Sequence, residues 1–322
     1  SAPIPSQLTH EQYRYGVRDV IAYQETIKDT IDIETWMDFV ASEDRRFKVE
    51  LNSGQFINAF PSKIVRIPVD KEAVLANGIV DPKDADLIVP HIDIELSGDF
   101  IYKNRILMLD IIANNHWERP IYFSGGAFGD DDYLWMKDYL QLDGLAYKLV
   151  PIKTKYESVF EMGRIDTETM TDIVKSWEWG NSGDPEVYID TQTRVQGLSF
   201  RSNLARLTET LIGENKLSEA KEILDIGMKN MPLKGFDYYN FVVPFIEGYY
   251  AVGAPEEARG IFQELKNIYQ DHLNYYAAMD ITDQYNSIQN IIENLEGYRR
   301  ILDVLSIGDS PEITQEERLE FE

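Results

Sequence analysis

Three side chains that can bind a metal alternate along one short segment. His91, Asp93 and Glu95 are separated by the apolar residues Ile92 and Ile94. Alternate residues of a β-strand project from one face, and imidazole with two carboxylates suits zinc or manganese. Such residues lie roughly 7 Å apart at Cα, so one ion would need further ligands from a loop. The pattern favours a solvated strand face, with a metal-dependent hydrolase as an alternative.

A glycine-rich segment lies between a predicted strand and a predicted helix. It reads Gly-Gly-Ala-Phe-Gly at 125–129 and continues into Asp130, Asp131 and Asp132. Backbone N–H groups in such a turn can bind an anion, but the segment lacks a lysine and matches neither the phosphate-loop nor the dinucleotide signature. The aspartates repel phosphate and lack the EF-hand spacing for calcium. We interpret them as a helix start and keep them as candidate binding residues.

A third cluster, His-Trp-Glu-Arg-Pro at 116–120, occupies a predicted helix-to-strand connector. Trp117 could stack on a sugar ring, so Trp117 and Arg119 are candidate binding residues; tryptophan is more often packed in a core. The tryptophans at 135, 177 and 179 could likewise either stack on a sugar ring or pack in a core. The chain has no G-x-S-x-G elbow and no H-E-x-x-H pair. We therefore assign no catalytic residue and expect no cofactor.

Charge and composition narrow the class of protein. The chain has 322 residues, 43% of them hydrophobic, and its 31 basic against 56 acidic residues give a net charge of −25. That charge repels phosphate backbones and anionic lipids, so nucleic-acid binding is not expected. The absence of cysteine excludes disulfides and thiolate sites. No apolar run approaches the roughly 18 residues of a membrane span, and the opening Ser-Ala-Pro suggests a domain excised from a larger protein.

The elements that position these residues are predicted to form two domains. We expect an α/β or α+β domain at 1–190 with a small, partly parallel sheet. It has a mostly helical lead-in at 1–60 and a strand–helix–strand core at 62–152. The predicted helices are 8–27, 33–41, 70–77, 101–114, 131–142 and 166–179, and the predicted strands are 62–69, 91–96, 120–124 and 145–152. Strands alternating with helices after residue 91 favour a parallel sheet, and Pro68 favours an edge position for its strand.

The second domain, 191–308, is predicted to be an all-α helical repeat of the tetratricopeptide type. Such repeats need a small residue where their two helices cross. Units starting at Arg201 and Tyr239 place Ala220 and Ala258 there, with an insertion at 233–238. Tyr249, in the second unit, is a candidate binding residue. Because two units rarely stand alone, we expect capping helices at 275–305, followed by a frayed, charged tail at 309–322.

Several strings resemble a known family. They are Ile-Leu-Met-Leu-Asp-Ile-Ile-Ala at 106–113, Trp-Glu-Arg-Pro-Ile-Tyr-Phe at 117–123, Tyr-Leu-Gln-Leu-Asp-Gly-Leu-Ala-Tyr-Lys-Leu-Val-Pro at 139–151 and Ile-Pro-Val-Asp-Lys at 67–71. They resemble the C-terminal soluble region of bacterial polytopic membrane proteins of unknown function. That family is similar to protein O-mannosyltransferases and other GT-C glycosyltransferases.

The resemblance implies a location and partners rather than a reaction. In GT-C enzymes the catalytic acid lies between early membrane helices and the donor is a polyprenyl-phosphate sugar; none of those helices is present here. The resemblance implies an accessory domain, non-catalytic by itself, at the periplasmic face of the inner membrane. Its expected partners are the membrane-embedded part of the same polypeptide and an acceptor protein or glycan. The alternative is a free-standing periplasmic repeat protein that binds a glycan or a protein.

Overall fold

The computed structural model describes residues 6–14, 19–124, 131–156 and 161–321, without the side chains of 131–134. The chain divides into two compact units. The first comprises Ser1–Leu142 and Ala146–Arg164, and the second Asp143–Leu145 and Ile165–Glu322. The segment 166–190, which the sequence analysis assigns to the first domain, thus belongs to the second unit. One contact that joins this segment to the second unit is the hydrogen bond from the Thr167 hydroxyl to Glu214 Oε2, at 2.7 Å.

The first unit interleaves short strands with short helices. Its helices are α1 (His10–Arg14), α2 (Ile33–Ala41), α3 (Lys71–Ala76) and α4 (Lys103–Ala113), with 3₁₀ turns at Arg45–Phe47, Pro82–Leu87 and Asp131–Tyr139. Its strands are β1 (Val20–Tyr23), β2 (Ile31–Asp32), β3 (Lys48–Glu50), β4 (Phe56–Phe60), β5 (Ile64–Pro68), β6 (His91–Glu95), β7 (Phe100–Tyr102), β8 (Tyr122–Ser124), β9 (Leu140–Asp143) and β10 (Ala146–Leu149).

The described strands form three mixed or antiparallel sheets. Their strand orders are β3-β4-β1-β7, β2-β5-β6 and β8-β10-β9. The pairs β1–β4 and β2–β5 are parallel. The pairs β1–β7, β3–β4, β5–β6 and β8–β10 are antiparallel. The first unit is therefore an α/β structure with mixed sheets.

The predicted parallel sheet of segments 91–96, 120–124 and 145–152 is wrong. The first of these, β6, pairs with β5, whereas β8 and β10 pair antiparallel in another sheet. The predicted helix 131–142 is a 3₁₀ turn followed by β9. The predicted helix was to be the crossover between the strands 120–124 and 145–152, and a parallel pair needs such a crossover of a dozen or more residues. Instead β9 leads into β10 through only two residues, Gly144, with φ 66°, and Leu145.

The predicted helical lead-in is also wrong for most of its length. Thr9 does start a helix, since Gln12 N–H donates to its Oγ1 and its own N–H donates to Gln12 Oε1, which is a capping box. The described helix covers His10–Arg14, and Val20–Tyr23, within the predicted helix 8–27, forms β1 between β4 and β7. The strand is paired on both sides, and Ile21 is fully buried in the core of the first unit. This tertiary contact outweighs local helical periodicity.

The second predicted helix and its cap are confirmed. Asp32 accepts from Glu34 N–H at the start of α2. Trp36 on α2 is fully buried and donates from Nε1 to Ser62 O at 3.1 Å, which ties the helix to the start of β5. The predicted edge position of the strand that contains Pro68 is wrong, because β5 lies between β2 and β6. Pro68 itself lies beyond the residues that pair with β2, which are Val65 and Arg66, so it need not donate a hydrogen bond on that side.

The second unit is helical in its described residues, apart from residues 143–145 and the connections between helices, of which 176–190 is the longest. Its helices are α5 (Thr167–Lys175), α6 (Thr191–Gly213), α7 (Leu217–Asn230), α8 (Val243–Ala251), α9 (Pro255–Ala277), α10 (Ile281–Asn286), α11 (Ile288–Gly308) and α12 (Pro311–Phe321). Helix α6 packs on α7, α8 on α9, and α9 on α11. The fold class at this level agrees with the prediction; the repeat type stays a prediction.

Small residues allow close approach between these helices. Ala220 on α7 and Ala258 on α9 are fully buried. A Cβ on Gly227 would lie 2.5 Å from the ring of Phe245 on α8, closer than carbon atoms pack. The predicted positions therefore lie at helix–helix contacts.

The predicted frayed tail at 309–322 is wrong, because α12 packs on the unit. Lys266 on α9, with 8% of its side chain exposed, lies 2.6 Å from Glu317 Oε2 and 2.5 Å from Glu320 Oε2. Arg259 donates from Nε and Nη2 to the Asp309 carboxylate at 2.6 and 2.8 Å. Asp309, Glu317 and Glu320 are thus paired with bases at least 50 residues away in sequence, so the acidic composition of the segment misleads.

Asp309 provides a test of this docking. Its carboxylate is almost buried, and Arg259, with a hydrogen bond from Tyr250, holds the pKa of Asp309 well below its usual range. The ionised form therefore stabilises the fold above about pH 4, and this contribution is lost as the pH falls below that. We expect Asp309→Asn to lower the free energy of unfolding by about 2 kcal/mol at pH 7, and by progressively less from about pH 5 to 2.

Urea unfolding at a series of pH values measures this difference. The matched control is Asp303→Asn, whose ion pair with Arg318 is long and exposed and should contribute less than about 0.5 kcal/mol. A constant difference between wild type and Asp309→Asn from pH 7 to pH 2 would contradict the assignment.

Candidate functional site

A strained turn follows α4 in the first unit. His116 has φ 44° and Trp117 has φ 58°. Side chains with a Cβ rarely adopt these left-handed angles, and a bulky residue does so least of all. Each such residue costs about 1–3 kcal/mol and persists only where its surroundings hold it. Two in succession therefore require specific contacts.

Four hydrogen bonds supply those contacts. Trp117 Nε1–H donates to Pro68 O at 2.8 Å, and Trp117 O accepts from Asn77 Nδ2 at 3.1 Å. Asn115 Nδ2 donates to Arg119 O at 2.8 Å, and Asn115 O accepts from Glu118 N–H at 2.9 Å. The turn is thus joined to the end of β5 and to the residue after α3, and its backbone is held in one shape.

The indole of Trp117 is an anchor rather than a ligand surface. It is 7% exposed and belongs to the core of the first unit. A sugar ring needs an open aromatic face to stack on, and this ring does not offer one. The prediction that Trp117 contacts a glycan directly therefore has no support in this conformation.

A small cleft opens beside the turn. Its volume is about 30 Å³, enough for roughly two water molecules and too small for a sugar ring. The lining residues are Ile33, Glu34, Ile67, Pro68, Ile112, Ala113, Asn115, His116, Trp117, Ile121 and Leu149. They are mostly apolar, so the cleft suits the tip of a side chain rather than a whole ligand.

An exposed imidazole and carboxylate lie on the rim of this cleft. His116 Nδ1 lies 3.4 Å from Glu34 Oε1, and both side chains are more than half exposed. A protonated imidazole would form an ion pair here, and a neutral one can donate or accept a hydrogen bond. The strained backbone thus presents a polar pair at the surface above an apolar floor.

Asp110, one turn before the end of α4, lies behind this turn and is fully buried. Five groups donate to its carboxylate: Ser6 Oγ (2.6 Å), Gln7 N (2.7 Å), Leu8 N (3.1 Å), Tyr13 Oη (2.8 Å) and Asn114 Nδ2 (2.9 Å). A buried carboxylate is tolerated when its lone pairs are bonded in this way. Asp110 therefore ties the segment 6–13 to α4. In the sequence, Asp110 interrupts the apolar run at 106–113, and this interruption is the signal of its buried position.

The three predicted metal ligands do share one face of β6. His91 is half-buried, and Asp93 and Glu95 are exposed. Both carboxylate oxygens of Asp93 accept from Arg66 on β5 at 2.7 Å, which lowers the pKa of Asp93. Within the ranges that the structure describes, no three His, Asp or Glu side chains are grouped closely enough for a metal ion. A guanidinium occupies the place beside Asp93 that an ion would need.

The remaining candidate residues have different positions. Asp130 and the glycine-rich segment lie outside the described residues, as do the side chains of Asp131 and Asp132. Arg119 is exposed within the strained turn. Tyr249 is 3% exposed, donates to Asp225 Oδ1 at 2.9 Å, and has a pKa raised by burial. Its visible contacts are those of a packing residue.

Two tryptophans of the second unit form a separate aromatic cluster. The rings of Trp177 and Trp179 pack edge to face at 5.5 Å, and Phe200 contacts both at 5.0 and 5.3 Å. In the first unit, Trp135 donates to Ser97 Oγ at 3.2 Å. Each tryptophan thus has partners within its own unit.

The strained turn yields a prediction about His116. We expect His116→Gly to raise the free energy of unfolding by roughly 0.5–1 kcal/mol, because glycine adopts a positive φ without a Cβ clash. His272→Gly is the matched control, since this exposed histidine lies within α9. Glycine within a helix should lower the free energy of unfolding by about 1 kcal/mol. Thermal unfolding measures both changes. A loss of stability in His116→Gly similar to that of the control would show that His116 is not strained.

Fold and site together define a class: an α/β unit with mixed sheets and an anchored surface turn, followed by a helical unit. A family model described as TMEM260-associated domain 2 matches residues 1–169, more than half of the chain. The chain therefore belongs to this family. No curated protein and no solved structure matches it. In the part of the chain that the structure describes, no helix is both long and apolar enough to cross a membrane.

Proposed function

We propose that this chain is an accessory binding domain of a membrane-bound GT-C type glycosyltransferase similar to protein O-mannosyltransferases. It is not catalytic by itself and lies at the periplasmic face of the membrane. Its first unit binds the membrane-embedded part of the same polypeptide or an acceptor protein through the turn 115–121. The family match supports this proposal, because it covers the strings that resemble the soluble region of bacterial membrane proteins, a family that is itself similar to GT-C enzymes.

The observation that carries the proposal is the strained turn itself. The two left-handed residues at 116 and 117 are held by side-chain and main-chain hydrogen bonds, and the result is an exposed His116–Glu34 pair over a cleft. Strain of this kind is concentrated at binding and catalytic sites. The cleft is small and its floor apolar, which favours the seating of a protein side chain over the binding of a free sugar.

Binding fits the chemistry of this surface better than catalysis does. A general acid–base reaction needs a substrate held within about 3 Å of the acting groups, and the cleft beside His116 encloses only about 30 Å³, so it would hold little of one. The net charge of −25 favours a partner with basic groups. The turn therefore functions as a preorganised contact surface in this proposal.

The second unit is proposed to be of the tetratricopeptide type. Helices α6 and α7 form one pair and α8 and α9 another, and the alanines at both predicted crossings are fully buried. Such pairs stack into surfaces that bind proteins. This proposal for the repeat type is independent of the contact made by the first unit.

Site-specific photo-crosslinking in the full parent protein tests the proposed contact. A photoreactive amino acid at position 116 should crosslink to the membrane-embedded part or to an acceptor, whereas one at exposed Glu43 should not. We also expect Glu34→Ala with Arg119→Ala to reduce acceptor glycosylation by about tenfold or more. The control is Asp44→Ala with Arg46→Ala, which removes one acidic and one basic side chain that pair at the surface. This variant should change acceptor glycosylation by less than about twofold.

Two results would overturn the proposal. One is sugar transfer by the purified chain alone, supplied with a polyprenyl-phosphate sugar and an acceptor. The other is unchanged glycosylation in Glu34→Ala with Arg119→Ala, together with equal crosslinking at positions 116 and 43. The first result would mean that this chain is itself catalytic. The second would mean that the turn does not contact a separate catalytic part or its acceptor.

A further inference from the structure

The last helix of the second unit is held mainly by polar contacts. The buried residues of α12 are Thr314 and Glu317, and both are polar. Its larger apolar side chains are less buried, since Leu319 is 66% exposed and Ile313 and Phe321 are half-buried. A helix of a globular protein usually buries an apolar face against the core. Helix α12 is therefore attached to its unit in a different way.

A row of three polar residues on α9, called the ridge below, receives α12. The ridge consists of Gln263, Lys266 and Gln270, whose spacing of three and four residues places them on one side of α9. Lys266 Nζ donates to Glu317 Oε2 at 2.6 Å and to Glu320 Oε2 at 2.5 Å. Gln263 Nε2 donates to Glu317 Oε1 at 2.7 Å, and Gln270 Nε2 donates to Glu320 Oε1 at 3.0 Å. Two carboxylates three residues apart on α12 are thus matched to one ammonium and two amides.

An aromatic contact lies beside the ridge. The ring of Phe321 packs edge to face on that of Tyr298 at 4.8 Å, and Tyr298 stacks on Tyr269 at 6.4 Å. With α12 in place, Tyr298 is only 2% exposed. Removal of α12 would therefore uncover the ridge together with an aromatic ring. The sequence Glu-Arg-Leu-Glu-Phe at 317–321 carries the groups that match both.

Such an interface holds a helix less firmly than apolar burial does. Lys266 and Glu317 both lose hydration when they pair in the interior, and this cost offsets much of their attraction. The ion pair of Arg318 with Asp303 on α11 is long and exposed, so it adds little. Helix α12 has 11 residues, and isolated helices shorter than about 12–15 residues are marginal in water. Once released from the ridge, α12 should therefore unfold.

A fixed point lies immediately before α12. Asp309 accepts hydrogen bonds from Arg259 and Tyr250, and Ser310 connects it to α12. Opening after Asp309 can thus release α12 while α8, α9 and α11 keep their packing. The short tether holds α12 at a high effective concentration, so α12 returns to the ridge unless a better ligand takes its place.

We propose that α12 is a detachable strap and that the ridge beneath it binds a helix of a partner protein with the pattern Glu-x-x-Glu followed by an aromatic residue. The chain's own α12 occupies the ridge in this structure and shows the chemistry of recognition. The chain is acidic overall, but the ridge offers one ammonium and two amides and no carboxylate.

The competition with α12 decides which ligand fits. The α12 helix of a second copy makes the same contacts without the tether, so it competes poorly with the resident helix. A partner helix that adds apolar contacts would replace α12, because α12 buries so little apolar surface. This inference is independent of the turn at 115–121 and of the glycosyltransferase assignment, because it rests only on residues of the second unit.

Hydrogen exchange of the full chain tests whether α12 detaches. Amides of α12 should exchange at least about tenfold faster than the protected amides of α9 and α11. Glu317→Gln with Glu320→Gln, called the open variant below, removes both charges that pair with Lys266 and should speed exchange in α12 by a further tenfold or so. Glu312→Gln with Glu316→Gln is the matched control, because it removes the same charge from exposed positions of α12 and should stay within about twofold.

A peptide with the sequence of residues 310–321, cross-linked so that it stays helical, tests the ridge as a binding site. Fluorescence anisotropy should show binding to the open variant with a Kd of about 100 µM or tighter. Binding to the wild-type chain should be at least about tenfold weaker, because the tethered α12 occupies the ridge. A twin peptide with Gln at the positions of Glu317 and Glu320 should bind the open variant at least about tenfold more weakly than the first peptide.

A substitution in the ridge separates specific from general charge effects. Lys266→Met, added to the open variant, should weaken binding of the peptide by about tenfold or more. Lys234→Met removes the same charge from an exposed position outside the ridge and should stay within about twofold. Protection of the α9 and α11 amides shows in each case whether the core of the unit is intact.

Four results would overturn the proposal. They are exchange of α12 only together with α9 and α11, failure of the peptide to bind the open variant, equal binding of the two peptides, and unchanged binding after Lys266→Met. A wild-type dimer that Lys266→Met abolishes would also contradict it, since a second copy would then occupy the ridge.

Discussion

Replacing Asp110 by alanine is expected to lower the free energy of unfolding of the first unit by about 3–5 kcal/mol. The carboxylate is fully buried and accepts from five groups, among them the backbone N–H groups of Gln7 and Leu8. Alanine leaves these donors without their acceptor, and a buried donor without a partner costs about 1–3 kcal/mol. The segment 6–13 should therefore detach from α4.

Two measurements together identify this effect. Urea unfolding gives the loss of stability, and hydrogen exchange should show amides of residues 6–13 exchanging about tenfold faster or more, well before the rest of the unit. Asp93→Ala is the matched control in the same unit. It removes an exposed carboxylate paired with Arg66 and should cost less than about 1 kcal/mol. Equal effects of the two substitutions would contradict the anchoring role of Asp110.

The second large effect is expected for Arg201→Met in the helical unit. Arg201 is 2% exposed, and its guanidinium donates to three main-chain carbonyls: Asp237 O (2.7 Å), Met231 O (3.0 Å) and Phe236 O (3.2 Å). Burial lowers the pKa of Arg201 to about 10, which still leaves it charged at neutral pH. Each hydrogen bond from a charged donor contributes about 1.5–3 kcal/mol, and removing the buried charge recovers part of the loss.

We therefore expect Arg201→Met to cost about 3 kcal/mol. These carbonyls lie in and beside the insertion 233–238, so its amides should lose protection against hydrogen exchange first. Arg299→Met is the control, because Arg299 is exposed on α11 and should change stability by less than about 0.5 kcal/mol. Unchanged protection of the insertion in Arg201→Met would show that Arg201 does not hold it in place.

Local features were predictable from the sequence where neighbouring residues decide the structure. The strand at 91–95 and the helix from 167 follow from side-chain periodicity and an N-cap. The turn after α3 needs a left-handed residue, and Gly78 has φ 64°. The buried alanines at 220 and 258 follow from spacing within one helix. Each of these depends on contacts along a few residues.

The candidate site was predictable only in part. The cluster at 116–120 attracted attention by its residue types, but its role was assigned to the indole of Trp117, which is buried. The exposed feature is instead the His116–Glu34 pair. It depends on two successive positive φ angles, and the residue type of Trp117 gives no sign of the second, since glycine, asparagine, aspartate and histidine are the usual left-handed residues.

The sequence by itself determined the all-helical class of the second unit up to residue 308 and the alternating face of β6. Tertiary structure alone decided the mixed pairing of the strands, the docking of α12 and the burial of Asp110. The physical reason is the distance between partners. Ser6 and Asp110 are 104 residues apart, and Lys266 and Glu317 are 51 apart. Periodicity and caps act within a few residues, whereas such pairs form only when the chain has folded.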